Sequence, residues 1–155
     1  LNDLAIAADG TIYFSDSSPE NSVIYKLKNG TIAKWLEGEK VTQPNGLLII
    51  DNYLYFGNSG DKKIKRAKLS TGKIEFVADA GTSIDGLKQD QNGNFIISNW
   101  QGKTSYITPP DKQEILLNTS QDKINSADLE FIREDNLIFI PTFFDNRVMI
   151  YKIKY

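Results

Sequence analysis

The chain contains no cysteine and no histidine. Without cysteine there are no disulfides and no thiolate metal sites. Without histidine there is no Ser-His-Asp triad, no His-ligated zinc and none of the commonest general base. Any catalysis must therefore use carboxylates, lysine, tyrosine or a metal held through oxygen. Charge of one sign is also scarce: 18 Lys and Arg against 20 Asp and Glu leave a net charge of -2. No basic stripe alternates with aromatics, so nothing points to nucleic acid. The longest apolar runs, "LLII" at 47–50 and "LIFIP" at 137–141, are far too short to span a membrane.

The chain opens "LNDLAIAADG", with neither an initiator methionine nor a signal peptide. It reads as the interior of a longer protein or a trimmed piece of one. The absence of cysteine fits either the cytoplasm or the periplasm of a bacterium, so the compartment is left open. With 155 residues, 40% of them hydrophobic and 25% charged, the composition is that of one soluble globular domain, residues 1–155, with volume for a real core.

The chain does have a repeat. Segments beginning at Asn2, Asn45, Asp85 and Ala127 align on Leu4, Leu47, Leu87 and Leu129, which are 43, 40 and 42 residues apart. Each copy runs through a short strand, a turn and a second strand rich in Ile, Tyr and Phe. The turns are Asp9-Gly10, Asp51-Asn52, Asn92-Gly93 and Asp135-Asn136, residue types that accept positive φ in tight hairpins. A second turn follows at Asn29-Gly30, Thr71-Gly72 and Pro109-Pro110-Asp111, flanked by strands such as "VIYKLK" and "KIEFVAD". In these outer strands apolar residues alternate with Lys or Thr, the period of a half-buried sheet, and no segment shows a sustained helical period.

Four short antiparallel strands per unit of about forty residues describe a blade of a β-propeller. The fold class expected is therefore all-β, with about four blades over 2–41, 42–81, 82–122 and 124–155. The last copy stops at its third strand, "RVMIYKIKY", so its blade is expected to be incomplete. The competing reading is a sandwich of roughly fifteen strands, which would not require such regular self-similarity. Nearly four blades make a ring that is incomplete as given. Two copies would associate as a homodimer, or further blades would lie on the N-terminal side, because exposed sheet edges invite association.

In a propeller the first strand of each blade lines the central channel, and the residue just before it faces the channel mouth. Those residues are Asn2, Asn45, Asp85 and Ala127. Two amide carbonyls and a carboxylate suit a hard cation such as Ca²⁺ or Mg²⁺. Asn or Asp before Gly is also an ordinary turn former, and Ala127 makes any such site one-sided. The loops between second and third strands line the rest of the mouth and carry Asp16, Glu20, Asn58, Trp100 and Phe144. Small polar groups beside Trp100 and Phe144 suit a small polar ligand with an apolar face. Burial between blades is the other reading of the aromatics, and turn capping that of Asp16.

"NDL" at Asn2, "PNGL" at 44–47 and "IDGL" at 84–87 resemble, in order and spacing, the signature of the SMP-30/gluconolactonase/LRE-like six-bladed propellers. The resemblance covers essentially the whole chain, which would correspond to the later blades of the six-bladed ring. It implies one divalent cation, most often Ca²⁺ with Mg²⁺, Mn²⁺ or Zn²⁺ as alternatives, held by Asn2, Asn45 and Asp85. It also implies hydrolysis of a small sugar-lactone-like substrate, with Asp85 as the base that activates or positions water. Glu20 falls where some members place a substrate-contacting acid, although the "SSPEN" loop differs. The family's remaining ligand, a Glu of its first blade, and a substrate-binding Arg before the ND pair have no counterpart here. The second reading is a non-catalytic propeller that binds a small ligand or a protein on its top face.

Overall fold

Among the described residues, fifteen strands form four separate antiparallel sheets, each a meander of consecutive strands. The computed structural model describes residues 1–154; Tyr155, the last residue of the fourth repeat, lies outside the described residues. Blade 1 comprises β1 (Leu4–Ile6), β2 (Ile12–Asp16), β3 (Val23–Lys28) and β4 (Thr31–Leu36). Blade 2 comprises β5 (Pro44–Ile50), β6 (Tyr53–Asn58), β7 (Lys63–Lys68) and β8 (Ile74–Asp79). Blade 3 comprises β9 (Leu87–Gln89), β10 (Phe95–Asn99), β11 (Lys103–Thr108) and β12 (Lys112–Asn118). Blade 4 has β13 (Glu130–Ile132), β14 (Leu137–Pro141) and β15 (Val148–Lys152), three strands where the others have four. This is a four-bladed propeller arrangement, and the single stacked sandwich is excluded because the strands divide into four sheets.

Turn chemistry sets the hairpins. Gly10, Asp51, Gly93 and Asn136 all have positive φ between a blade's first two strands, as the residue types at these turns require. The sheets then bury the alternate residues of their strands against each other. Tyr13, Ile24 and Leu36 of blade 1 meet Leu47, Leu54 and Phe56 of blade 2. Ile64 and Ala78 of blade 2 meet Leu87, Phe95 and Ile97 of blade 3, and Ile96 of blade 3 meets Leu129, Phe131, Ile138 and Ile140 of blade 4. Each interface is a thin apolar layer in which every Val, Leu, Ile or Phe side chain removed from water contributes roughly 1.5–3 kcal/mol before entropy is counted.

A β-bulge recurs between the third and fourth strands at Ile24/Tyr25, Ile64/Lys65 and Thr104/Ser105, forty residues apart each time. The residue squeezed out of register is Trp35, Val77 or Leu116, apolar in every case. A bulge adds local twist, and twist is what lets a flat hairpin follow the neighbouring sheet. Apart from these three, one further bulge occurs, at the entry of β5, where the register moves from Pro44↔Asn58 to Leu47↔Phe56. Asn45 and Gly46 share the space opposite Gly57.

The outer faces of blades 1 and 4 remain open. Leu4, Ile6 and Ile32 on the one and Val148 and Ile150 on the other are all more than half exposed. Among the described residues no helix is long and apolar enough to cross a membrane.

Candidate functional site

The first strands converge at their N-terminal ends, and a ladder of side-chain bonds ties those ends together. Asp3 Oδ2 accepts the backbone N–H of Leu47 at 2.6 Å, joining blade 1 to blade 2. Asn45 Nδ2 donates to Asp85 Oδ1 at 3.0 Å, joining blade 2 to blade 3. The backbone N–H of Asp128 donates to Asp85 Oδ2 at 3.3 Å, joining blade 3 to blade 4. Asp85 thus receives one bond from each flanking blade.

Close backbone approach makes this possible. A Cβ on Gly46 would stand 2.5 Å from the carbonyl oxygen of Asp85, and one on Gly86 2.5 Å from Asp128 Oδ1. Both contacts are far shorter than atoms allow, so glycine is the only residue that lets adjacent first strands close to this distance. Serines hold the same strand entries from behind. Ser15 Oγ donates to the carbonyl of Asn45 at 3.0 Å, and Ser98 Oγ accepts from the N–H of Gly86 at 2.8 Å. Ser15 and Ser98 are both completely buried.

A cavity of about 280 Å³ opens at this point, lined by Asn2, Asn45, Ser59, Ser83, Ile84, Asp85 and Trp100. Of the seven residues singled out in the sequence, Asn2, Asn45, Asp85 and Trp100 come together here. Asn2 Nδ2 donates to Ser17 Oγ at 3.0 Å. Burial raises the Asp85 carboxyl above its ordinary value, the negative charge of Asp128 raises it further, and the bonds from Asp128 and Asn45 pull the other way. Asp3 is raised as well, first by burial, with Asp128 again contributing. Among the described residues no cluster of three or more carboxylates converges on one point. A cation in this cavity would therefore depend on side-chain amide oxygens.

Three other residues sit elsewhere. Asn58 does not face the cavity: it is completely buried, its Nδ2 donates to the carbonyl of Lys40 and its Oδ1 accepts from the N–H of Thr42. Its side chain is taken up in tying the β4–β5 connection to β6. Glu20 lies exposed in a turn of 3-10 helix, Pro19–Asn21, away from the cavity lining. Asp16, in the same loop, caps the turn through Ser18 and Asn21. Phe144 is three-quarters exposed, and its ring meets that of Trp100 edge-on with centroids 6.2 Å apart. Phe143, in the same mouth-lining loop, is closer to Trp100, at 4.9 Å. Its positive φ turns it towards that ring, and no sequence signal announces a left-handed phenylalanine.

Ser59 comes from one of the loops expected to line the mouth, whereas Ser83 and Ile84 were not expected in the lining. Ser59 Oγ donates to the carbonyl of Ile84 at 2.6 Å, a bond between blades that only the packed structure creates.

No family model and no curated protein matches the chain. Solved structures do match in fold. A structure described as a gluconolactonase is 20% identical, with a TM-score of 0.66 over 99% of this chain and 60% of its own. Virginiamycin B lyase from Staphylococcus aureus is 16% identical, with a TM-score of 0.64 over 98% of this chain and 55% of its own. The WD40 β-propeller domain of Doa1 is 12% identical, with a TM-score of 0.74 over 98% of this chain and 50% of its own. The chain is thus similar to β-propellers of several kinds and spans about half the length of each. These likenesses establish the fold.

Proposed function

We propose that the chain is part of a metal-dependent lactonase-type propeller of the SMP-30/gluconolactonase/LRE-like family. A divalent cation, Ca²⁺ before others, would be held by Asn2, Asn45 and Asp85. The observation that carries the reading is that these three oxygen-bearing side chains, from three successive blades, line one cavity. The donor set is hard and flexible, which suits Ca²⁺. The amides of Asn45 and Asn2 now turn their N–H groups to Asp85 and Ser17. Rotation of each about its last bond presents the carbonyl oxygen instead.

When bound, a cation of this kind polarises a lactone carbonyl and stabilises the oxyanion that forms on it. The chain's own residues supply the rest. Asp85, with its carboxyl raised towards the working range of a general base, accepts the proton of an attacking water. Each of its oxygens already receives one hydrogen bond and keeps a lone pair for a second. Trp100 gives the cavity an apolar wall against which the carbon face of a sugar-like ring can rest. The likeness in fold to a gluconolactonase is compatible with this chemistry, and propellers serve many others.

The aromatic group favours a second reading. Trp100, Phe143 and Phe144 form an edge-to-face cluster that is 40%, 57% and 74% exposed, an unusual surface for water alone. A non-catalytic propeller would use it to bind a small ligand or a protein on the same face. Lactone hydrolysis assayed with and without Ca²⁺, in wild type and Asp85→Ala, separates the two. Cation-dependent turnover lost in the variant supports the hydrolase. Absence of turnover in a protein that binds Ca²⁺ leaves the binding module.

A further inference from the structure

A second polar cavity, of about 580 Å³, opens between blades 1 and 2 at the far end of β5 from Asn45. Both of these blades have four strands. Three lysines, Lys26, Lys28 and Lys68, line the cavity with two aspartates, Asp9 and Asp51. Lys28 and Asp9 neutralise each other: Lys28 Nζ donates to Asp9 Oδ2 at 2.6 Å, and Asp9 Oδ1 accepts the N–H of Thr11 at 3.0 Å. The ammonium groups of Lys26 and Lys68 have no hydrogen-bond or ion-pair partner among the described residues, and neither does the Tyr13 hydroxyl. Tyr13 is only 5% exposed, its ring held against Trp35 with centroids 4.5 Å apart.

The repeat shows what this position does elsewhere. Lys26 lies between Tyr13 and Ala33 on neighbouring strands. In blade 2 the same place belongs to Arg66, between Tyr55 and Glu75. There Glu75 Oε2 accepts from Arg66 Nε and Nη2, at 3.1 and 3.0 Å. In blade 3 the place belongs to Tyr106, opposite Ile96, and its hydroxyl donates to the buried Asp90. Blades 2 and 3 thus answer this position with a carboxylate of their own. Blade 1 has Ala33 where blade 2 has Glu75, and its half-buried lysine lines a cavity instead.

We infer that this cavity is a binding site for a small soluble phosphomonoester with hydroxyls on its carbon body. A phosphomonoester carries roughly two negative charges at neutral pH, which Lys26 and Lys68 balance. Lysine acts on phosphate as a point charge on a flexible stem, so two of them can converge on one tetrahedral group. The Tyr13 hydroxyl adds a neutral donor. Asp51, Asn52 and Ser70 meet the hydroxyls of the body. These three residues and Asp9 are exposed and polar, a mouth suited to a soluble ligand and not to a lipid.

Glucose 6-phosphate is the probe, titrated into the chain and followed by calorimetry and amide NMR shifts. It should bind saturably and move Asn52, Leu69 and Ser70 while leaving Asn45 and Ser59 in place. Inorganic phosphate should bind at least about tenfold more weakly, since it forgoes the contacts to the body, and glucose should not bind measurably. Lys26→Gln and Lys68→Gln should each weaken glucose 6-phosphate by about tenfold. Ala33→Glu, which gives blade 1 the carboxylate that blade 2 has in Glu75, should do the same with Lys26 intact. All three variants should keep the wild-type circular dichroism spectrum. No saturable binding, or shifts centred on Asn45 and Ser59, overturns the proposal. So does affinity unchanged in Lys26→Gln and Ala33→Glu. Equal binding of inorganic phosphate and glucose 6-phosphate would mean an adventitious ion only. Sedimentation with phosphatidic acid vesicles, by a protein that ignores glucose 6-phosphate, would make the ligand a lipid and overturn it as well.

Discussion

Asn45 and Asp85 lie in adjacent blades, forty positions apart in sequence, and their side chains meet at 3.0 Å across the strand entries. The bond exists because β5 bulges at Asn45-Gly46, and because glycine at position 46 lets the backbone of Asp85 approach. The bulge turns Asn45 towards its neighbour, so the residue sits inside the strand and not, as its Pro-Asn-Gly setting suggests, in the turn before it.

Asn45→Ala separates a ligand from a packing residue. The bulge and its glycine remain, and Asp85 keeps the N–H of Asp128. Stability should fall by no more than about 0.5–1.5 kcal/mol, the worth of one hydrogen bond. Ca²⁺ affinity, measured by calorimetry, should fall by at least about tenfold, since one of the three proposed oxygen ligands is gone. Unchanged affinity would remove Asn45 from the site.

The pH dependence has opposite signs for stability and for cation binding. Burial raises Asp85 and Asp3 above their ordinary value of 3.8, so between that value and their folded values the folded state holds more protons than the unfolded one. Their contribution is fully favourable below 3.8 and is lost as pH rises through the folded values. Cation binding needs Asp85 ionised and should strengthen over the same interval. Thermal melts and Ca²⁺ titrations across this range should diverge in wild type, and the Ca²⁺ curve should flatten in Asp85→Asn.

Asp3→Ala should weaken the junction of blades 1 and 2. The N–H of Leu47, in a residue only 4% exposed, loses its acceptor. A loss of about 1–3 kcal/mol is expected in denaturant unfolding. Hydrogen exchange should quicken most at Leu47.

Gly86→Ala tests the close approach of blades 3 and 4. The added methyl collides with Asp128 Oδ1 at 2.5 Å and with the backbone N of Leu129 at 2.6 Å. Overpacking of this kind costs about 1–3 kcal/mol, more where backbone must move. A neutral result would show that the first strands slide apart freely.

Asn58→Leu should destabilise the protein and leave ligand binding alone. The substitution strands the carbonyl of Lys40 and the N–H of Thr42, two groups Asn58 now satisfies, at about 1–3 kcal/mol apiece if water does not reach them. A selective loss of ligand affinity without loss of stability would restore Asn58 to the site.

The blades were legible in the sequence because a repeat shows itself through spacing. Leucines at 4, 47, 87 and 129 and the turn residues between them mark each hairpin, and each hairpin is local. The convergence of Asn2, Asn45 and Asp85 followed from the same arithmetic, as did the missing fourth strand of blade 4. Residues that act between blades were less visible. Asn58 and Ser59 are adjacent in the chain, yet one is sealed inside blade 2 and the other reaches Ile84 in the cavity wall. Nothing in "GNSG" distinguishes them, because their roles are set by the twist of the sheet and by what the next blade presents. The recurrent bulge left a trace, apolar residues at Trp35, Val77 and Leu116, but one extra residue per strand hides within alternation.

Because every sheet is a meander of consecutive strands, no strand must wait for a distant partner before it pairs. The apolar layer between blades 1 and 2 needs nothing beyond residue 80 to form. A chain emerging from the ribosome can therefore bury the layer between blades 1 and 2 while blade 3 is still being made, and add the next layers in turn. Assembly is a succession of short closures, which keeps the loop entropy of each step small and lets the molecule grow from one end.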